Sequence, residues 1–176
     1  MKEFSLKTPL TDQNLDRIKI GDTVLLSGSV YALRDAGHKR LVEMLRRSEK
    51  PPFEMHGAAI YYVGPTPAPP GKPIGSAGPT TSRRMDPFLP EILGAGIKAT
   101  IGKGPRSPEA MRLHTANAAL YLAAIGGIGA LLARHITASR IIAWNDLGAE
   151  ALRELTFKDF PTICAGDMQG GDIFAR

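Results

Sequence analysis

The sequence predicts an α/β fold in a single domain, on three observations. Short apolar runs alternate with helix-length amphipathic or capped segments, the pattern of strands joined through helices. The chain has 176 residues, 43% hydrophobic and 22% charged, enough to bury one core and too apolar for a disordered chain. No repeat of 20–50 residues is visible along residues 1–176, which excludes a solenoid.

The elements follow in chain order. Thr23-Val24-Leu25-Leu26-Ser27-Gly28 reads as a strand, and a helix runs from about Asp35 to Ser48, with Leu41, Val42 and Leu45 on one buried stripe. Residues 51–90 carry 10 of the 14 prolines. Their one regular segment is Ala58-Ala59-Ile60-Tyr61-Tyr62-Val63, a buried strand. A short strand runs to Ile101, and a helix starts at Ser107 with Pro108 in its first position, where a missing N–H costs nothing. Ala118–Ile125 fits a strand or a buried helix, Gly129–His135 a helix and Arg140–Trp144 a strand.

Composition then narrows the function. Glycine and proline, 19 and 14 residues, make up close to a fifth of the chain, against an average of about 12%. Shaped loops are therefore expected. Lys+Arg number 22 against 17 Asp+Glu, a net charge of +5. The basic residues are scattered, in small groups at Lys39-Arg40, Arg46-Arg47 and Arg83-Arg84, and aromatics are only 6%. Such a pattern lacks the basic stripe with stacking platforms of a nucleic-acid binder and suits a small anion better. One cysteine excludes an internal disulfide framework and a thiolate cage made by this chain alone. MKEFSLKTPL has no apolar signal-peptide core, and Ala118–Ala133 is broken by Gly126, Gly127 and Gly129. The reading is a soluble cytoplasmic protein.

Three segments carry anion-binding chemistry. Gly75–Asp86 holds Ser76, Thr80, Thr81, Ser82, Arg83 and Arg84 within nine residues. Hydroxyls, backbone N–H groups and guanidinium forks are what hold carboxylate or phosphate. Leu33–Lys39 follows a strand and opens a helix; Asp35 can cap that helix, with Arg34 just outside its positive end. The plainer alternative makes Asp35 a cap, Arg34 a surface charge and His38 a solvated ring. Gly102-Lys103-Gly104 ends a strand, at the edge where ligands gather in α/β sheets.

Familiar catalytic motifs fail. Five residues stand between Gly96 and Gly102 where Walker A needs four, and Gly104 replaces its hydroxyl residue. Gly127-Ile128-Gly129-Ala130-Leu131-Leu132 lacks the third glycine of a dinucleotide fingerprint, and Gly75-Ser76-Ala77-Gly78 is not GxSxG. His38, His56, His114 and His135 show no metal-ligand spacing. Cys164 follows an apolar run and reads as a buried structural thiol. The chain offers anion-binding groups without a self-contained catalytic constellation.

Arg34-Asp35-Ala36-Gly37-His38-Lys39-Arg40, Ile60-Tyr61-Tyr62-Val63-Gly64-Pro65, Gly75–Thr81 with Arg84-Met85-Asp86, and Gly102-Lys103-Gly104 occur in this order. Ala143-Trp144, Leu147-Gly148, Glu150-Ala151 and Asp159-Phe160-Pro161 follow. Together they resemble the β subunit, equivalently the C-terminal domain, of iron–sulfur class I fumarases and L-tartrate dehydratases. The resemblance covers nearly the whole chain, residues 1–176 as one domain. Gly37 departs from the alanine common in that family.

The resemblance implies a swivelling β/β/α domain and reversible hydration of fumarate to malate. It implies a partner α subunit whose three cysteines hold a [4Fe–4S] cluster with an open, Lewis-acidic iron. A hetero-oligomer is expected, α2β2 being one arrangement, and the isolated chain should be inactive. At the matching positions Arg34, Arg84 and Lys103 would clamp the carboxylates of a dicarboxylate, and Thr80 would be the base. A Thr hydroxyl needs activation, which the family places in an Asp/His pair on the α subunit. Thr81 and Ser82 could instead bond the carboxylate, and Asp35 and His38 would orient Arg34 from behind. Two alternatives stand beside fumarate hydration: an L-tartrate or related dicarboxylate hydratase, and a non-catalytic anion- or nucleotide-binding regulatory module.

Overall fold

The computed structural model describes residues 1–175. Among these, β1 (Glu3–Lys7), a short α1 (Asp12–Leu15) and β2 (Thr23–Ala32) come first. Then follow α2 (Asp35–Arg46), β3 (Ala59–Tyr61), a 3-10 segment Ser82–Phe88, α3 (Leu89–Gly94), β4 (Ala99–Gly102) and α4 (Pro108–Ala116). The chain finishes with β5 (Leu120–Ala123), α5 (Gly129–Leu132) running into a 3-10 turn to His135, β6 (Ile136–Ala143), a 3-10 segment Asn145–Glu150 and β7 (Leu152–Gly166).

The seven strands lie in the order β1-β2-β3-β4-β5-β7-β6, and β7 also pairs with β2. That second pairing closes β2, β3, β4, β5 and β7 into a barrel-like ring. Strands β1 to β5 pair parallel, while β7 runs antiparallel to β2, β5 and β6. The fold is therefore mixed α/β with a closing sheet, a refinement of the α/β expectation.

Alternation along each strand divides the apolar residues between two cores. Val24, Leu26, Val30, Tyr61, Ile101, Leu122, Leu155, Phe157 and Phe160 fill the interior of the ring. Their neighbours Ile60, Tyr62 and Leu152 point outward, where Leu41, Val42, Met85, Leu89 and Ile92 cover them from the helical layer. All three residues of β3 are buried, which is why that stretch reads as one continuous apolar run.

Most predicted elements stand, with shifted ends. Strand β2 runs four residues past Gly28, because Ser29 to Ala32 continue its ladder against Leu155 and its neighbours on β7. The first long helix stops at Arg46, two residues before Ser48, which takes a left-handed backbone. Ala118–Ile125 resolves as a strand, starting at Leu120 after left-handed Ala118. The last predicted strand ends at Ala143, since Trp144 is also left-handed, and it begins four residues earlier, at Ile136. Helix α4 begins as predicted, with Ser107 Oγ accepting the Ala110 N–H at 3.1 Å. Strands β1 and β7 were not predicted.

Candidate functional site

The carboxyl ends of β2, β3, β4 and β5 line up on one rim of the ring, because these strands are parallel and in register. The residues just beyond those ends are Arg34, Gly64, Lys103 and Gly126. Ligands of open parallel sheets collect at such rims.

The Gly75–Asp86 loop is sewn into this rim. Thr80 N–H donates to the Tyr62 carbonyl beyond β3 (2.7 Å), and the Thr80 carbonyl accepts from Lys103 N–H beyond β4 (3.2 Å). Ser82 N–H returns to the Lys103 carbonyl at 2.9 Å, so Thr81 and Lys103 form a parallel bridge. Lys103 is exposed and Thr80 half-buried. The spacing Gly102-Lys103-Gly104 has a steric reason: a Cβ on Gly102 would collide with Ser82 Oγ and the Tyr62 ring. On the next strand end, the Lys103 stem lies over Gly126.

The proline-rich stretch before this loop is also anchored. Thr66 and Ser76 bond to each other, Ala77 N–H donates to the Gly129 carbonyl (3.1 Å), and Tyr61 Oη donates to the Ala77 carbonyl (2.6 Å). It leaves and re-enters the same rim.

Arg34 occupies the neighbouring position. Its side chain crosses Gly64, where a Cβ would stand only 2.9 Å from Cδ and Nη1. Asp35 does not cap α2, contrary to the capping role read from the sequence. The N-cap position is held by Arg34 itself, in extended backbone, and Asp35 is the first helical residue. There its carboxylate faces outward and accepts from Arg84 Nε (3.0 Å), with Arg84 Nη2 at 2.9 Å and Arg34 Nη2 at 3.9 Å. The helix end is satisfied instead by Glu150, whose Oε2 accepts the Ala36 N–H at 2.7 Å while Oε1 stands 3.7 Å from Arg34. The result is a row of alternating charge, Glu150–Arg34–Asp35–Arg84.

His38 is not a solvated ring. It is 1% exposed and lies against Tyr62 and Phe88. Burial pushes its pKa down to about 4, so the ring is neutral at pH 7. Its Nδ1 is 2.9 Å from the Arg34 carbonyl, which also accepts the His38 N–H at 2.8 Å. This fixes the Arg34 backbone.

Ser82 is fully buried, with Oγ 2.9 Å from Tyr121 Oη. Tyr121 Oη in turn stands 2.5 Å from the Gly104 carbonyl. A phenol has one proton, and the carbonyl can only accept it. Ser82 must then donate to Tyr121, which leaves its hydroxyl no proton for a ligand carboxylate. This removes Ser82 from the carboxylate-binding alternatives, whereas Thr81 is exposed on the rim beside Lys103.

The sequence reading gave no role to Glu150, Arg106, Tyr62, Tyr121 or Asp86. Asp86 belongs to the Arg84-Met85-Asp86 motif, yet it turns inward to Arg106 Nε (2.8 Å) and to the Ser107 N–H (2.9 Å). A hint existed for Arg106, a lone cation directly before the Ser107-Pro108 helix start. Glu150 had no local signal, since its contacts lie 114 positions upstream.

Cys164 is buried, and its thiol is pushed up to about 12, first by that burial and then by the Asp167 and Asp22 carboxylates. It fits the structural thiol read from the sequence. No group of three or more His, Cys, Asp or Glu among the described residues could hold a metal ion. No helix of the described residues is long and apolar enough to cross a membrane.

The whole chain is similar to known proteins. Fumarate hydratase 2 of Leishmania major is 34% identical over 178 residues, covering 99% of this chain and 31% of its own length. The aerobic class I fumarate hydratase of Salmonella typhimurium is 32% identical, over 97% of this chain and 30% of its own length. The chain thus spans about a third of these fumarate hydratases. The L(+)-tartrate dehydratase subunit beta of Escherichia coli K12 is 32% identical over 97% of this chain and 86% of its own length. The family model described as fumarase C-terminus matches residues 1–176, bearing out the resemblance read from the motifs, and the chain belongs to that family.

Proposed function

We propose that this chain is the β-type part of a hydro-lyase that adds water reversibly across the double bond of a dicarboxylic alkene, fumarate to malate. One observation carries the reading. Thr80 and Lys103 are joined backbone to backbone on the rim, with Arg34 laid across the adjacent strand end. A threonine, a lysine and an arginine on adjoining strand ends of one rim suit a small dianion whose reacting carbon lies between its carboxylates.

In this reading Lys103 takes one carboxylate as a point charge and Arg34 and Arg84 take the other through paired N–H donors. Thr80 Oγ holds or accepts the proton exchanged at carbon, while hydroxide joins or leaves the adjacent carbon, with no net redox change. A Thr hydroxyl is a weak base by itself, so the activating Asp/His pair belongs to a partner α subunit. The [4Fe–4S] cluster also belongs to that partner. The described residues of this chain do not fit one: the single thiol is buried inside the ring and holds its proton to about pH 12. As a swivelling β/β/α domain, the chain would present the Arg34–Thr80–Lys103 rim to the partner, in the cytoplasm.

The substrate has a second candidate. The chain matches most of the length of a tartrate dehydratase β subunit but only a third of the fumarate hydratases. The 32% identity to an L(+)-tartrate dehydratase subunit beta, beside 34% to a fumarate hydratase, makes L-tartrate the alternative substrate. The test is to purify the chain alone and assembled with its cluster-bearing partner, and to follow fumarate absorbance with fumarate or malate as substrate and formation of the 2-oxo acid oxaloacetate with tartrate. No turnover alone and turnover in the complex is expected. Robust turnover by the chain alone would sink the two-part reading, and tight nucleotide binding without turnover in the complex would favour a regulatory module.

A further inference from the structure

Three residues beyond Lys103 the chain buries an arginine completely. The Arg106 side chain is 0% exposed. Its Nε donates to Asp86 (2.8 Å), and its Nη1 donates to Tyr62 Oη and Thr100 Oγ1 (both 3.1 Å). Its Nη2 reaches the Ser82 carbonyl at 3.4 Å. The rings of Tyr62 and Tyr121 stand 5.3 Å and 5.2 Å from its Cζ, one on β3's continuation and one on β5. A charge placed so deep adds little stability over apolar side chains of the same volume. What it adds is placement.

The polar ends of this network converge on the rim segment. Ser82 is held three ways: its N–H by Lys103, its carbonyl by Arg106 and its hydroxyl by Tyr121. Gly104, in a left-handed turn at φ +75°, is held through its carbonyl by Tyr121. Lys103 lies between these two anchored residues, and its own N–H is tied to Thr80. Among the described residues, the Tyr121 hydroxyl is thus the one side-chain group that links both flanks of the Lys103 bridge. Burial holds Tyr121 neutral to about pH 12, so the bridging proton stays in place at working pH.

We infer that Tyr121, backed by Arg106, is a positioning residue that sets Lys103 against Thr80 and so fixes the spacing at which the rim accepts a dicarboxylate. This rests on the hydro-lyase reading. Tyr121 touches no substrate atom; it acts through the backbone of Ser82 and Gly104.

Tyr121→Phe tests it with little risk to the fold, since the ring stays over Arg106 and only the hydroxyl is removed. In the complex with the cluster-bearing partner, KM for the dicarboxylate should rise about tenfold, the equivalent of one lost hydrogen bond. The same variant should change kcat less than about threefold, because a displaced Lys103 weakens binding of ground state and transition state alike. A merely structural role gives the opposite split, with fewer active molecules lowering apparent kcat at unchanged KM. The full chain by itself supplies a second readout. Amide hydrogen exchange at Ser82 and Lys103 should accelerate about tenfold in Tyr121→Phe, while the amides of Leu155 and Phe157 on β7 keep their rates. Unchanged KM overturns the inference, as does unchanged exchange at Ser82 and Lys103. If the wild-type complex turns over no dicarboxylate, the hydro-lyase reading fails separately, and exchange in the free chain still decides whether Tyr121 holds Lys103.

Discussion

Arg84 and Arg106 each lie against an aspartate, and the fold uses the two pairs in opposite ways. Arg84 and Asp35 sit on the rim with side chains 52% and 33% exposed. Arg106 and Asp86 sit below it, 0% and 12% exposed. Water screens the first pair, so it holds together weakly, by ~0–1 kcal/mol. An incoming carboxylate can replace Asp35 at Arg84 for little cost. The second pair gave up its hydration on folding and cannot exchange partners. The lower layer therefore fixes geometry, and the upper layer stays available to a ligand. Cations of the same type, about twenty residues apart in sequence, are sorted into scaffold and site by burial alone.

The largest expected effect comes from protons entering the lower layer. His38 and His114 are both buried beside the Arg106 charge. Burial, with Arg106 adding to it, pushes His114 down to about 3, and His38 lies at about 4. In the unfolded chain both rings take up protons below about pH 6.5. Between that pH and 4 the unfolded state binds more protons than the folded one, so stability falls as pH falls. At ~1.4 kcal/mol per unit, the two rings together remove on the order of 5 kcal/mol or more by pH 4, comparable to the whole stability of a small domain. Asp22, held low by the N–H groups of Lys2 and Lys19, loses its contribution only once carboxylates protonate, so the two windows separate. Urea midpoints measured from pH 7.5 to 4 should drop steeply below 6.5. Midpoints that stay level to pH 4.5 would show that the lower layer is open to water and would break the contrast with the rim.

A matched pair of substitutions sharpens it further. Arg106→Met strands Asp86 without its cation and should destabilise the chain by about 3–5 kcal/mol in urea. Arg84→Met should stay within about 1 kcal/mol of wild type in the same experiment. In the reconstituted complex, Arg84→Met should nevertheless lower kcat/KM roughly ten- to hundredfold, the loss of one charge-assisted bond to a carboxylate. Equal stability costs for the two variants, or wild-type kinetics in Arg84→Met, would end the division into scaffold and site.

This sorting also explains what the sequence showed and what it hid. Helix α4 was legible because Ser107 and Pro108 are adjacent, and a cap is a local event. Strand β3 was legible because a parallel strand buried on both faces is a plain apolar run, while the same kind of run at β5 left strand and buried helix both open. Strand β7 is the longest and closes the ring, yet Pro161 and the charged residues Arg153, Glu154, Lys158 and Asp159 break its pattern. Its partners are β2, β5 and β6, and its bend at left-handed Asp159 answers a register shift on β2, all fixed by distant chain. Of the proposed site residues, Arg34 and Lys103 stood out because each follows a strand end, and Thr80 because it lies in the hydroxyl-rich Gly75–Asp86 loop. Asp35 was misread because capping was judged from neighbours, while its actual partner, Arg84, is 49 positions away. The Arg106 network escaped for the same reason: its partners come from β4, β5 and the loops after β3 and before α3.

The smallest effect concerns how the rim itself is held. The loop from Asn145 to Glu150 reaches over the start of α2, and Arg40 grips Asp146 with both Nη atoms at 2.9 Å. Glu150 then supplies the carboxylate that a capping residue would normally bring from within its own helix. Glu150→Ala removes that acceptor and should cost about 1 kcal/mol, the usual loss of an N-terminal cap. Glu150→Gln keeps an oxygen for the Ala36 N–H and removes only the charge near Arg34, so it should cost no more than about 0.5 kcal/mol. The two are separable by urea unfolding of the chain. In the complex the charge row adds a second effect: Gln leaves Arg34 less neutralised and should bind the dicarboxylate at least as well as wild type, whereas Ala frees the helix start and raises KM. Wild-type KM in both variants would mean that Glu150 acts on the helix alone, and that Arg34 takes its place from Gly64 and His38 without help from the loop.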